Sequence, residues 1–335
     1  MHPEERLTPP VTSSEKVSFL LPAQAPLLEN REQASQAFAN AVKQGQTPHF
    51  QVFYDPSLSA QGQTIANSIL AYCERDYNTI IGYFSGIFPP GLPFLVLLQQ
   101  IPSGGAYHFG CDGVEIFCDG KTSPTVDPAY SQFLVAAEVI EVFAAALGRG
   151  WDCFTSHGEA LSRALAAELY PEQVPTFATA ATWLDSQDRP DYINATGSAT
   201  DAQAIGCAVL FLNYLRFHLG YNWNMIVAAG ASTLAQTAAW LTGDTSDAFL
   251  RFRRLIDDLF PAGRPCRLIT DNPFVQALAG RGASPTNTWQ PVASMMSPTS
   301  PPNPSQQYWP SVYTQTVSSA SPPSYPPEPP YPPCL

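Results

Sequence analysis

Two glutamates on one apolar segment are the residues with the clearest chemical potential. Glu138 and Glu141 lie three residues apart in the run VAAEVIEVF, and that spacing places both carboxylates on the same side of a helix. Burying two carboxylates is costly unless each is paired or hydrogen-bonded. A third acid, Glu159, follows near the start of the next apolar helix. The spacing therefore predicts that three carboxylates converge between two helices.

The elements that must position these acids come from two halves with different patterns. Up to about residue 125, the sequence predicts helices over 26–44 and 59–83 and strands over 49–54, 92–98, 107–109 and 114–117. From about residue 126, helical periodicity predicts helices over 128–147, 156–169, 201–219, 222–230, 232–241 and 245–260. A small mixed sheet with helices followed by a helical subdomain is an α+β domain, which we place at residues 27–265, rather than alternating βαβ units.

In this order of elements the chain resembles the gluzincin, or peptidase-MA-like, zinc metallopeptidases. In that family a sheet built from a strand, a helix, further strands and a hairpin precedes a helix bearing HExxH, and a second helix begins with Gly-Glu or Glu-Gly. The resemblance covers roughly residues 48–260. It places Ala137 at the first zinc histidine, Glu138 at the catalytic glutamate, Glu141 at the second histidine and Glu159 at the third ligand. It implies a zincin-like fold.

The departures from the family's motif argue against its chemistry. Catalytic zinc needs three protein ligands, usually nitrogen-rich, and an open position for water, whereas Ala137 cannot coordinate a metal. An all-carboxylate set suits calcium or magnesium better than zinc, with Glu141 and Glu159 as the ligands if a metal binds. We therefore expect no zinc and no other cofactor, and we interpret Glu141, His157, Glu159 and Trp151 as lining a cleft.

Two functions are compatible with this combination. The favoured one is a catalytically inactive metallopeptidase-like domain that keeps the old cleft as a binding surface for a peptide or protein. The alternative is an atypical hydrolase in which Glu138 is the general base, with a non-zinc cation or no metal. A structural interpretation stands beside both: one glutamate faces solvent, and the others accept hydrogen bonds from Arg149, Arg163 or backbone amides.

Other candidate groups carry less weight. A glycosidase would need two acids ~5 to ~10 Å apart across a cleft, which Trp151, Trp183, Tyr192 and Trp223 could line, but aromatic residues of a helical domain are usually core. His108 and His218 stand alone in the sequence. The chain has no GxSxG elbow and no GxGxxG or GxxxxGK[ST] phosphate loop.

Charge and hydropathy exclude several partners. The formal net charge of the 335 residues is -12, so the chain lacks the cationic surface that nucleic acid or anionic lipid requires. No window approaches the ~18 consecutive apolar residues of a membrane span. The first thirty residues contain no apolar stretch of signal-peptide length. We therefore expect neither a nucleic-acid nor a membrane partner, and we favour a cytoplasmic location.

The seven cysteines form an odd set without CxxC spacing, which indicates neither a zinc ribbon nor a redox dithiol. Cys111 and Cys118 can pair with each other or with Cys153. Buried, reduced thiols explain the same residues equally well.

The two ends of the chain differ in composition from its middle. Residues 1–26 lack periodicity and are predicted to be a flexible leader. Residues 283–335 are rich in Pro, Ser, Thr, Gln and Tyr, and such a segment is predicted to be a disordered tail. Within it Pro322, Pro323 and Tyr325 match the PPxY ligand of WW domains, although a solvated tail without a docking role is the favoured interpretation.

Overall fold

A five-stranded mixed sheet forms the first half of the structure, a computed structural model that describes residues 31–263 and 268–274. The strands are β1 (Val42–Gln46), β2 (Phe50–Tyr54), β3 (Phe94–Gln99), β4 (Ala106–His108) and β5 (Glu115–Asp119). Their order across the sheet is β1-β2-β3-β5-β4. The three inner strands are parallel, and the two edge strands, β1 and β4, are antiparallel to their neighbours.

The first predicted helix ends earlier than its periodicity indicates. Helix α1 covers Arg31–Asn40, and β1 begins two residues later, so residues 42–44 are strand instead of helix. Val42 pairs with Tyr54 of β2, and the turn is closed by a hydrogen bond from Thr47 N to Phe50 O at 2.8 Å. Pairing with a strand that follows directly along the chain outweighs the helical preference of this short segment.

A long helix joins β2 to β3. Helix α2 covers Ser59–Tyr83, as predicted, and β2 and β3 are parallel, so this part of the chain is one βαβ crossover. Such a unit was not predicted from the sequence. The fold is a mixed α and β arrangement in which parallel pairing occupies the centre of the sheet.

The two faces of the sheet pack against different helices. Every second side chain along the strands points towards α2 and the helical half. These side chains include Phe50, Val52, Phe94, Val96, Leu98, Ala106 and Ile116. The other face packs on α1 through Leu97, Tyr107, Phe117 and the α1 residues Ala34 and Phe38. Because successive side chains of a strand point to opposite faces, His108 shares the face of Ala106, opposite to Tyr107.

The helical half begins with two helices whose bounds agree with the sequence prediction. These are α3 (Pro128–Leu147) and α4 (Ser156–Leu169). At the start of α3, Asp127 accepts a hydrogen bond from Tyr130 N, and at its end Gly148 adopts φ 64°, a left-handed conformation that glycine tolerates. Helix α3 packs against the sheet, α2 and α4, so it is the central element of the domain.

Six further α-helices in the described part of the chain form the rest of the helical half. They are α5 (Val174–Phe177), α6 (Ala180–Leu184), α7 (Ala202–Asn213), α8 (Trp223–Ala228), α9 (Leu234–Thr242) and α10 (Ala248–Leu259). The predicted helix over 201–219 changes after α7 into a π-helical turn over Tyr214–His218. The short helices α5 and α6 were not predicted, since four or five residues are too few to display a period.

Helix α3 is long and apolar enough to cross a bilayer by length and composition alone. However, 83% of its most apolar window is buried inside the domain. The apolar composition of α3 is therefore explained by its position in the core of a folded domain.

The folded domain extends further than the predicted boundary at residue 265. Asp271 and Phe274 are buried, and Asp271 accepts hydrogen bonds from Thr179 N and Ala180 N at the start of α6. The predicted leader over 1–26, the predicted tail over 283–335 and its motif at Pro322, Pro323 and Tyr325 lie outside the described residues.

Candidate functional site: a buried histidine-glutamate cluster

Strand β4 and helix α3 bring an imidazole against the two central carboxylates. His108 Nε2 lies 3.2 Å from Glu141 Oε2 and 3.5 Å from Glu138 Oε2. The three side chains are 0%, 0% and 1% exposed for His108, Glu138 and Glu141 respectively. One ligand atom from each lies within 4.8 Å of the other two. We call these three residues the His-Glu cluster.

His108 is the member that the sequence analysis missed, since it was described as standing alone. The signal that could have identified it is the alternation in Ala106-Tyr107-His108, where the aromatic ring of Tyr107 faces α1 and the histidine must face the other way. The alternation gives only the face. Which residues His108 meets depends on β4 lying beside α3, a contact between segments 33 residues apart in sequence.

Helix α4 contributes a hydroxyl to the same cluster. Ser162 Oγ lies 3.2 Å from Glu141 Oε1 and 2.9 Å from the backbone carbonyl oxygen of Glu159. The hydroxyl proton can therefore be donated to either oxygen, and Ser162 is buried. Glu141 is thus contacted from β4 through His108 and from α4 through Ser162.

Glu159 is paired within its own helix. Arg163 Nε donates to Glu159 Oε1 at 3.2 Å, and Arg163 Nη1 donates to the carbonyl oxygen of Phe177 at 3.0 Å. Both side chains are buried, and the Glu159 carboxylate is not a member of the group of mutually close ligand atoms around His108. This pair matches the structural interpretation of one glutamate, in which Arg163 was named as a partner.

Other parts of that structural interpretation are wrong. None of the three glutamates faces solvent, because α3 and the start of α4 are both enclosed between the sheet and the rest of the helical half. Arg149 donates instead to the backbone carbonyl oxygen of Ala228 at 3.3 Å.

His157 and Trp151 hold the α3–α4 connection (residues 148–155) in place. His157 Nε2 lies 2.8 Å from the carbonyl oxygen of Gly150, a distance at which this nitrogen carries the proton and donates. Burial lowers the pKa of His157. Trp151 packs edge-on against this ring and donates from Nε1 to the carbonyl oxygen of Val227 at 2.9 Å.

The cleft predicted from these residues is therefore not open in the structure. Glu141, His157, Glu159 and Trp151 were expected to line it, and all four are buried. Trp151 and His157 hydrogen-bond to backbone carbonyls, whereas Glu141 and Glu159 bond to side chains of the interior. The four residues contribute to the packed core around α3 and α4.

A disulfide joins the two connections next to the cluster. Cys111, in the β4–β5 connection (residues 109–114), is bonded to Cys153 in the α3–α4 connection. The sequence left Cys118 and Cys153 as possible partners; Cys118 is instead a buried thiol on β5, where burial raises its pKa. Cys111, Asp152 and Cys153 lie close enough to suggest a metal group, but a disulfide has no thiolate to offer.

The catalytic zinc that the resemblance implies does not fit these residues. Ala137, which the resemblance places at the first ligand position, has no side-chain ligand atom and is buried. Glu159 is engaged by Arg163, and the His-Glu cluster has no exposed face at which a metal could hold water for attack on a substrate. We derive no hydrolytic step through zinc.

A glycosidase site does not fit either. The Glu138 and Glu141 side chains are 0% and 1% exposed, so a sugar cannot lie between their carboxyl groups. Trp151, Trp183 and Trp223 are buried and do not line a cleft.

Comparisons with known proteins add no family. No protein-family model matches the chain, and no curated protein matches its sequence significantly.

Proposed function

We propose that this chain is a catalytically inactive metallopeptidase-like domain that serves as a peptide- or protein-binding module. The observation that carries the proposal is the closure of the site. Glu138 and Glu141, at the positions of a catalytic glutamate and a zinc ligand in the resembled family, are buried against His108, and Ala137 fills a third position. A peptide bond cannot reach these groups without a rearrangement of the core.

The order of elements supports the likeness on which this proposal rests. The sheet has an antiparallel edge strand, β4, beside a helix that carries the acids at its centre. The next helix, α4, carries a third acid in its first turn. This is the layout that the resemblance implies, although layout alone does not specify an activity.

The binding surface that we propose lies on the outside of the two disulfide-linked connections. We call residues 109–114 and 148–155 together the bridge surface. Phe154, next to Cys153, is 40% exposed, and Asp112 and Asp152 are exposed on either side of the bridge. An aromatic ring beside acidic groups suits a peptide segment that combines apolar and basic side chains, and the net charge of -12 favours the same partner.

Selection of short random peptides displayed on phage tests this surface. We expect enrichment of peptides with basic and apolar residues, and we expect Phe154→Ser to weaken their binding about tenfold, the loss typical of a moderate contact residue. Phe88→Ser is the matched control, because Phe88 is also exposed, at 63%, and lies in the α2–β3 connection. Equal binding by the wild type and Phe154→Ser, or no enrichment at all, would contradict the proposed surface.

One observation favours the alternative function, a hydrolase with Glu138 as general base. An imidazole lies 3.5 Å from the Glu138 carboxylate, and paired imidazole and carboxylate groups are common in proton transfer. Such an enzyme would have to open around α3 during each cycle, because both groups are fully buried. Turnover that disappears in Glu138→Gln would establish this alternative.

The disulfide indicates the kind of cellular compartment in which such a module would act. Structural disulfides persist in oxidising compartments and are rare in the cytosol. We therefore propose an oxidising compartment in place of the cytoplasmic location favoured by the sequence, on the basis of Cys111–Cys153. A WW-domain contact through Pro322, Pro323 and Tyr325 stays a sequence prediction.

A further inference from the structure

Two of the donor separations in the His-Glu cluster match those of a first coordination shell. Donor atoms that surround one zinc or manganese ion at ~2.0 to ~2.2 Å lie roughly 3.0 to 3.5 Å from one another. The separations of His108 Nε2 from the Glu141 and Glu138 carboxylates are 3.2 and 3.5 Å. The donors come from a strand and a helix that are far apart in sequence, and they converge without any exposed surface.

We infer that His108, Glu138 and Glu141 bind one divalent transition-metal ion that fastens strand β4 to helix α3. The ligand set differs from the one that the resemblance implies. It recruits a histidine from the edge strand, uses the glutamate at the catalytic position as a ligand, and leaves out Glu159. The inference does not depend on whether the domain binds peptides.

Charge supports the presence of a cation at this point. If both carboxyl groups are ionised, they place two negative charges in a region without solvent, which is among the most expensive arrangements in a protein interior. One divalent ion would balance both charges. The carboxylates predicted from the sequence favoured calcium or magnesium; the imidazole nitrogen of His108 shifts the preference towards zinc, manganese or iron(II).

Metal binding by Nε2 has a free-energy cost at the second ring nitrogen of His108. Nδ1 is buried without a hydrogen-bond partner among the described residues, and it must carry the proton when Nε2 binds a metal. One buried N–H without an acceptor costs less than a structural metal ion contributes when it binds. The balance therefore favours the ion.

Three protein ligands would leave one position of a tetrahedral ion to a water molecule, and that water would be shut off from any substrate, so the ion would stabilise the fold. With all three ligand side chains buried, the ion must enter while the chain folds or opens. Its binding would add to the stability of the folded state. The expected signature is a bound metal that raises the melting temperature and supports no hydrolysis.

Metal content and thermal stability of the full-length protein test the inference. After unfolding with EDTA and refolding, we expect the wild type to take up one equivalent of Zn²⁺ or Mn²⁺ by elemental analysis and to melt at a higher temperature with the ion than without it. Glu141→Gln and His108→Gln should lose affinity by more than the roughly 10- to 100-fold that an outer-shell change causes.

Glu159→Gln is the matched control. It also removes a buried carboxylate charge from the same region, but its partner is Arg163 and it lies outside the cluster, so it should keep one equivalent of metal. Loss of metal in Glu159→Gln equal to that in Glu141→Gln would overturn the proposed ligand set.

A measurement on the wild type alone covers the case in which a variant does not fold. Refolding with Co²⁺ should give the visible absorption of a low-symmetry cobalt site with nitrogen and oxygen ligands. If the refolded wild type takes up no metal and shows no cobalt spectrum, hydrogen bonds alone link the three side chains of the cluster, and the inference is wrong.

Discussion

Asp271 is a buried carboxylate whose protonation is expected to change the stability of the domain. It accepts backbone hydrogen bonds from Thr179 and Ala180 at 2.8 and 2.7 Å. Burial raises its pKa from 3.8 to about 6, although these hydrogen bonds and nearby Arg163 act in the opposite direction. The folded state therefore holds a proton on Asp271 in a pH range in which the unfolded chain has released it.

We predict that the stability contributed by Asp271 falls as pH rises from about 4 to about 6. Between these values the folded state binds more protons than the unfolded state, so raising the pH favours unfolding, by roughly 3 kcal/mol in total. Asp271→Asn keeps an acceptor for the two amides and removes the titration. The difference in unfolding free energy between wild type and variant, measured with urea, should decrease over this range and stay constant above it.

Asp247 provides a control of opposite sign. It is an exposed cap of α10, and hydrogen bonds from Asn194 and from the backbone of Leu250 lower its pKa below 3.8. Its contribution is present above the unfolded pKa and is lost as pH falls through the folded value. A difference for Asp247→Asn with the same slope as for Asp271→Asn would contradict the assignment of the slope to burial.

At the scale of single residues, the sequence identifies groups whose contacts are local. Glu138 and Glu141 are three residues apart on one helix, and Glu159 and Arg163 are four apart on another, so helical geometry alone brings each pair together. His108 could not be placed on α3 in this way, because its position depends on the pairing of a three-residue strand with β5. Burial of the whole cluster likewise depends on tertiary packing.

At the scale of elements, the sequence is informative where local chemistry defines an end. The bounds of α3 follow from Asp127 and Pro128 at its start and Gly148 at its end. Residues 42–44 were assigned to the wrong element because their strand pairs with β2, and hydrogen bonds between strands leave no periodic signal in five mostly polar residues. The parallel pairing of β2 with β3 was not predicted either, because hydrogen bonds between strands that are distant in sequence leave no local pattern.

The disulfide is the element-scale feature with the clearest expected effect. It joins the β4–β5 and α3–α4 connections across 42 residues of sequence, and closing a loop of that length restricts the unfolded chain by on the order of 4 kcal/mol. We predict that a reductant lowers the free energy of unfolding of the wild type by about 2 to 4 kcal/mol in urea titrations.

The variant with both Cys111→Ser and Cys153→Ser is the control for this prediction. It should unfold at the midpoint of the reduced wild type and should not respond to the reductant. If the reductant shifts the variant as much as the wild type, the effect arises elsewhere. If the wild type does not respond at all, the bridge does not stabilise the domain.

At the scale of the whole molecule, the structure combines a mixed α and β fold with a core that encloses the three acids of α3 and α4. The acids at the centre of α3 are enclosed by the sheet and α4. The groups exposed beside the disulfide bridge are an aromatic ring and acidic side chains. Under the proposed function, the buried acids belong to the core that stabilises the fold, and the exposed groups of the bridge surface bind the peptide.

Incubation of a complex peptide mixture with the purified protein tests this division between core and surface most directly. Wild type and Glu138→Gln are each incubated with the mixture in the presence of zinc, manganese or calcium, and new peptide termini are identified by mass spectrometry. The closed site predicts that the wild type generates no termini beyond those found with Glu138→Gln. Termini that accumulate with the wild type and are missing with Glu138→Gln would show that the site opens and that the chain is a peptidase.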